Sequence, residues 1–151
     1  MKSCILYLLL TTLLFASCNK EKRYSTKLQK GETWQVADIT IDGSSMGVLG
    51  SWRITSDTDI YDAVPRCTWS SGEQNAEFEW QFQSKGKVFQ LNYYQLLEEI
   101  EGDSLHDLDY VAHNLTGAYS VIDHKNKKMS FESVSTIGYS GKKVKITIER
   151  N

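Results

Sequence analysis

Three thiols, three imidazoles and one short acidic run are the side chains of this chain best suited to chemistry. Cys18 follows Leu14-Phe15-Ala16-Ser17, where an apolar stretch gives way to Asn19-Lys20-Glu21-Lys22-Arg23. A thiol is a nucleophile, and small neighbours let the backbone around it enter a narrow enzyme cleft, so covalent modification is the chemistry this site offers. His106-Asp107-Leu108-Asp109 with His113 supplies metal-ligating atoms. In an extended segment, however, adjacent side chains point to opposite faces, and no familiar ligand spacing occurs. That stretch reads as a solvated acidic loop, and no metal site is expected. Glu98, Glu99, Glu101 and Asp103 read the same way. A hydrolase would need two carboxyls held about 5–10 Å apart across a cleft, which these spacings do not specify. The sequence contains no Gly-x-Ser-x-Gly elbow, Walker loop, His-Glu-x-x-His or dinucleotide fingerprint. The chain is therefore expected to be non-enzymatic and to need no cofactor.

The segment that delivers Cys18 begins with one positive charge, Lys2, followed by an uncharged and mainly apolar run over 5–15. Spanning a bilayer as a helix takes about 20 apolar residues. A charged start, a short apolar core and small residues before a cut site predict a signal peptide over 1–17. Leu14-Phe15-Ala16-Ser17-Cys18 resembles the lipobox that ends bacterial lipoprotein signals, with its Leu one place further from the Cys than usual. The resemblance implies diacylglyceryl attachment to the Cys18 thiol, cleavage before it and acylation of the new N-terminus. Three acyl chains, at about 0.8 kcal/mol per buried methylene, make a permanent membrane anchor. Residues 18–31 carry Lys20, Lys22, Arg23, Lys27 and Lys30 against one acid, Glu21, and read as a flexible tether. Cleavage removes Cys4 and lipid consumes Cys18, so Cys67 has no partner in the mature chain. It is expected to be a small buried apolar residue.

Composition narrows the rest. Seventeen basic against 19 acidic residues, a net charge of −2, give no excess to drive nucleic-acid binding. The 151 residues suffice for one domain, placed at 32–151. From Thr33 onward the hydrophobic period is two. Phe78, Trp80 and Phe82 alternate with Glu77, Glu79, Gln81 and Gln83. Phe89, Leu91 and Tyr93 form a second such set, and Val144, Ile146 and Ile148 a third. Alternation of this kind marks half-buried strands. Further strands are expected at 34–41, 50–55, 59–70, 109–113, around Tyr119 and Val121, and around Met129 and Phe131. The one segment of helical character is 94–100. Asp, Asn, Ser and Gly fall between these runs, as turns require. The pattern predicts an all-β antiparallel meander, a barrel or a β-sandwich; eight strands are about the number at which a closed sheet holds a small ligand or fills with side chains. Lys-rich stretches at 125–128 and 142–145 keep turns and a terminal strand soluble.

The lipobox and basic stretch, Gly31-Glu32-Thr33-Trp34-Gln35-Val36 at the first strand, and Lys143-Val144-Lys145-Ile146-Thr147-Ile148 at the end resemble the small lipocalin-like lipoproteins of Bacteroidota-type bacteria. In that group a Gly-x-Trp or Gly-x-x-Trp opens the first strand and its Trp packs across the barrel floor. Trp34, or Trp52 in Gly50-Ser51-Trp52, would take that place. Leu115-Thr116-Gly117-Ala118-Tyr119 is similar to the strand openings that recur there. Residues 62–69 have no counterpart in the pattern, which keeps the sandwich open. The resemblance implies an eight-stranded lipocalin-like barrel anchored in the outer membrane. Asn19 at the position after the Cys is not the Asp that retains lipoproteins at the inner membrane, and the basic run differs from an acidic surface-export signal. A periplasm-facing location is the expectation. Asp103-Ser104-Leu105 resembles the periplasmic O-glycosylation signal of the same bacteria, with Ser104 as acceptor.

These readings combine into a lipid-anchored envelope lipoprotein. Its partners are the membrane, through the N-terminal lipid, and either an apolar small molecule or an envelope protein. Trp34, Phe78, Trp80, Phe82, Phe89, Leu91 and Tyr93 are its expected core or pocket lining. The alternative is a structural or assembly subunit of an outer-membrane or secretion machine, docking through a strand edge or through 56–72.

Overall fold

Phe78, Trp80 and Phe82 lie on one side of the longest strand and are buried, while Glu77, Gln81 and Gln83 on the other side are exposed. The computed structural model describes residues 19–31, 33–55, 64–94 and 108–151. Helix α1 (Asn19–Lys30) is followed by strands β1 (Thr33–Ile41), β2 (Ser44–Ser45) and β3 (Gly50–Thr55). Next come β4 (Arg66–Ser71), β5 (Gln74–Gln83), β6 (Val88–Tyr93) and helix α2 (Leu108–Asn114). The chain ends with β7 (Gly117–Lys125), β8 (Lys128–Ser133) and β9 (Val144–Glu149).

Consecutive strands pair antiparallel from β3 to β9, and β1 pairs with both β3 and β9. The β1–β9 ladder, from Gln35 opposite Glu149 to Ile41 opposite Val144, closes eight strands into a barrel. The short β2 hairpins back onto the end of β1, on the side that β3 leaves unpaired. This is a lipocalin-like barrel, and the closing ladder excludes the sandwich. Closure also removes the open sheet edges that invite association.

Two bulges adjust the inward pattern. In β1 the register shifts between Val36 and Asp38, so Trp34, Val36 and Ile39 are buried instead of a strict every-second series. In β7 a shift between Val121 and Asp123 leaves Ile122 exposed. An extra residue in one strand bends it and re-aims the side chains beyond the bulge.

Two expectations, a tether at 18–31 and a strand at 109–113, need correction. The composition of 18–31 predicts a flexible tether, yet 19–30 form a helix. Its polar composition conceals two apolar residues one turn apart, Tyr24 and Leu28, and both are buried against the barrel. Glu21 in its first turn and Lys27 and Lys30 in its last complement the helix dipole. Residues 109–113 read as a strand, yet 108–114 are helical. Leu108, Val111, Ala112 and the following Leu115 are all buried, which is the spacing of one helix face. The helical expectation at 94–100 lies outside the described residues except for Tyr94, which is in neither helix nor strand.

Candidate functional site

The barrel has two unlike ends. At one, β1 begins and helix α1 lies across the opening. Tyr24 meets Phe82 edge to face at 5.7 Å and lies over His124 at 4.6 Å. The indole Nε1 of Trp34 donates to the Leu28 carbonyl at 2.9 Å. A Cβ added at Gly31 would sit 2.4 Å from that same indole nitrogen, so glycine there lets chain and ring approach. The Lys85 amide donates to the Glu21 carboxylate, and the Lys27 ammonium donates to the His124 carbonyl. At the other end α2 forms the cover. The Leu108 amide donates to Gln74 Oε1 at 3.1 Å, and the Tyr93 amide to Thr116 Oγ1 at 2.9 Å.

Between these covers, aromatic rings bridge the lumen. Phe89 on β6 stacks on Phe131 of β8 with centroids 4.3 Å apart and on Trp52 of β3 at 6.4 Å. It also lies 5.3 Å from Phe82 and 6.4 Å from Trp80. Strands β6 and β8 do not pair, nor do β6 and β3, so these contacts cross the interior rather than run along a wall. Trp34, Phe78, Trp80, Phe82, Phe89, Leu91 and Tyr93 are all buried. The structure therefore brings the seven together as packed interior. Trp52 and Trp69 join them with zero exposure, 6.1 Å apart and edge to face. Their place is signalled by the alternation of β3 and β4.

Cys67 is a buried free thiol, and desolvation, with the Glu77 carboxylate adding to it, pushes its pKa well above the usual 9.0. A thiol held protonated in an apolar wall is not a nucleophile. His113 sits in α2, edge to face with Tyr93 at 6.0 Å, whereas His124 ends β7 beneath α1. The two imidazoles are at opposite ends of the barrel. Among the described residues no three His, Cys, Asp or Glu side chains converge as a metal site would need. Cys18, Ser104, His106 and the acidic run over 98–103 lie outside the described residues.

The outer surface at the α1 end carries the feature that sequence reasoning missed. A crevice of about 720 Å³ runs beside α1, lined by Lys22, Arg23, Tyr24, Thr26, Lys27 and Lys30 from the helix. The β7–β8 turn adds His124, Lys125 and Asn126, and Arg150, just after β9, completes it. The Arg150 guanidinium lies 5.3 Å from the centroid of Trp34. Lys27 is held below its usual pKa, first by desolvation and then by repulsion from Arg150 and Arg23. Nothing in the sequence brings 22–30, 124–126 and 150 together; only barrel closure does. Among the described residues no helix is long and apolar enough to cross a membrane. Compared with known proteins, the chain matches no family model, no curated protein and no solved structure.

Proposed function

We propose that this chain is a lipid-anchored, non-enzymatic barrel of the bacterial envelope that acts by binding a protein partner on its outer surface. The observation that carries the choice of a partner over a lumenal ligand is the contact of Phe89 with Phe131 and Trp52 across strands that do not pair. Rings at 4.3–6.4 Å occupy the space an apolar guest would need. Anchoring rests on the lipobox-like run ending at Cys18 and on the residue after it, Asn19, opening α1 at one end of the barrel. The outer membrane, on its periplasmic face, is the address that Asn19 and the basic run after Cys18 favour. The opposite end, where β8 leads to β9 through 134–143, exposes Val134 at 62% and Ile137 at 58%. Apolar side chains presented away from the anchor supply contact area to an envelope protein, including a subunit of a larger machine.

Two measurements test this. Radiolabelled palmitate and membrane fractionation of wild type and Cys18→Ser test the anchor, with label and membrane retention expected for wild type alone. A photo-crosslinking side chain at 137 is expected to capture a discrete envelope protein in cells. Native mass spectrometry that finds one apolar molecule bound per chain, with no crosslinked protein, would return the lumenal-ligand reading.

A further inference from the structure

We propose that the crevice beside α1 binds the phosphate-bearing headgroups of anionic phospholipids in the membrane that holds the anchor, seating that end of the barrel on the bilayer surface. The proposal rests on the anchored reading above, and its test separates the two.

The first ground is charge without counter-charge. Arg23, Lys27 and Lys30 stand at i, i+4 and i+7 on one helix, an arrangement of like charges that weakens an isolated helix. Arg150 reaches the same crevice from the far end of the chain. Among the described residues no carboxylate makes an ion pair with any of these four. Two acids close to the helix have other partners, although Asp123 also attracts Lys27 through space. Glu21 accepts from the Lys85 amide, and Asp123 pairs with Lys125 at 3.4 Å. Cations gathered from two separate segments, with Lys27 held low by desolvation and then by Arg150 and Arg23, form a surface that an external anion would relieve.

Position is the second ground. Helix α1 begins at Asn19, the residue next in sequence to the thiol at 18. A helix of 12 residues is about 18 Å long, which keeps every helical cation of the crevice within that distance of the anchor. With the helix lying along the bilayer, its cations fall within the Debye length of about 10 Å over which an anionic surface attracts them. A dissolved anion offers the same oxygens but gives no reason for the crevice to open beside the anchor.

The test uses the full lipidated protein held in nanodiscs, one set of phosphatidylcholine alone and one containing phosphatidylglycerol. Hydrogen exchange is followed over 19–30 and 124–128. Exchange in both segments is expected to slow about tenfold with phosphatidylglycerol and to regain its former rate in high salt. The triple variant Lys22→Glu, Lys30→Glu, Lys125→Glu changes only exposed side chains and is expected to abolish the difference; the Gln version of the same triple should leave a reduced one. Equal exchange in the two disc types overturns the proposal. Equal slowing by inorganic phosphate added to phosphatidylcholine discs also overturns it, in favour of a dissolved anion. Failure of wild type to stay on either disc overturns the anchor instead, and co-sedimentation with phosphatidylglycerol but not phosphatidylcholine vesicles would then still establish the headgroup site.

Discussion

Trp34 Nε1 donates a hydrogen bond of 2.9 Å to the carbonyl of Leu28, six residues earlier, and thereby ties the last turn of α1 to the first strand of the barrel. Both residues have zero exposure. The bond satisfies one of the carbonyls that a helix C-terminus leaves without an intrahelical partner. Helix and barrel are accordingly expected to unfold together. Leu28→Ala should cost about 2–5 kcal/mol through the lost contacts and the cavity left behind. Trp34→Phe, which deletes the donor and part of the ring, should cost at least about 1–3 kcal/mol. Chemical denaturation followed separately by far-ultraviolet dichroism and by tryptophan fluorescence checks both. One coincident transition is expected in each variant, and an early helical transition would show α1 to be independent of the barrel.

Gly86 pins the other flank of the same helix. Its φ is +77°, a conformation that disfavours any side chain, and an added Cβ would lie 2.7 Å from the Tyr24 ring. Gly86→Ala is expected to destabilise by more than about 1 kcal/mol, the sum of a backbone penalty and a clash. The double variant Tyr24→Ala, Gly86→Ala separates them. Removing the ring abolishes the clash, so the glycine substitution should cost less in the Tyr24→Ala background than in wild type. A thermodynamic cycle that closes with full additivity would show that helix α1 does not press on the turn over 84–87.

Much of this architecture is legible in the sequence, and the parts that are not have two causes. Strands β5, β6 and β9 are visible because a sheet with one buried face imposes a period of two on 76–83, 88–93 and 144–149. The two helices escape notice because each is short and recognisable only by a few apolar positions, Tyr24 and Leu28 in one, Leu108, Val111 and Ala112 in the other. Lysine and arginine stand at five of the remaining positions of α1, and a run of that composition reads as solvated chain. The basic crevice is less legible still. Arg150 joins Arg23 and Lys27 only because β9 returns beside β1, and the β1–β9 pairing joins residues more than a hundred positions apart. Six of the seven interior residues, by contrast, follow from alternation alone, and Trp34 follows from the Gly-x-x-Trp resemblance at the first strand.

Alkaline pH should expose two buried acids. Cys67 and Tyr119 both have pKa values raised above their usual 9.0 and 10.0, chiefly by desolvation. The folded barrel keeps both protonated at a pH where the unfolded chain gives up the proton. The unfolded state then binds fewer protons, so stability is fully present below pH 9.0 and falls above it. Each ionising group contributes a slope of about 1.4 kcal/mol per pH unit. Cys67→Ala should lower stability at neutral pH through lost packing, yet it should move the onset of the alkaline decline from near 9.0 toward 10.0. Denaturation midpoints measured from neutral to strongly alkaline pH check this. In the same preparation, a thiol reagent should label wild type only once denaturant has unfolded it.

Trp52 supplies the sharpest test of the interior, because its indole is treated differently from its neighbours. Its Nε1 is buried and has no acceptor among the described residues. Trp80 Nε1, by contrast, donates to the Arg66 carbonyl at 3.2 Å. Both rings are essentially without exposure and both stack on Phe89 at 6.4 Å. Replacing either by Phe removes similar volume and similar ring contact. The difference lies in the N–H group. At 80 a formed hydrogen bond is lost, whereas at 52 a buried donor that already goes unpaired is removed, and its desolvation penalty goes with it. Trp52→Phe is therefore expected to be less costly than Trp80→Phe by about 1 kcal/mol or more. The comparison holds native packing constant, so it needs only two denaturation curves beside wild type. Equal losses would mean that the Trp52 donor finds a partner after all, such as a water molecule held between the rings. The lumen would then contain polar space, and rings that leave such a gap would no longer exclude a guest.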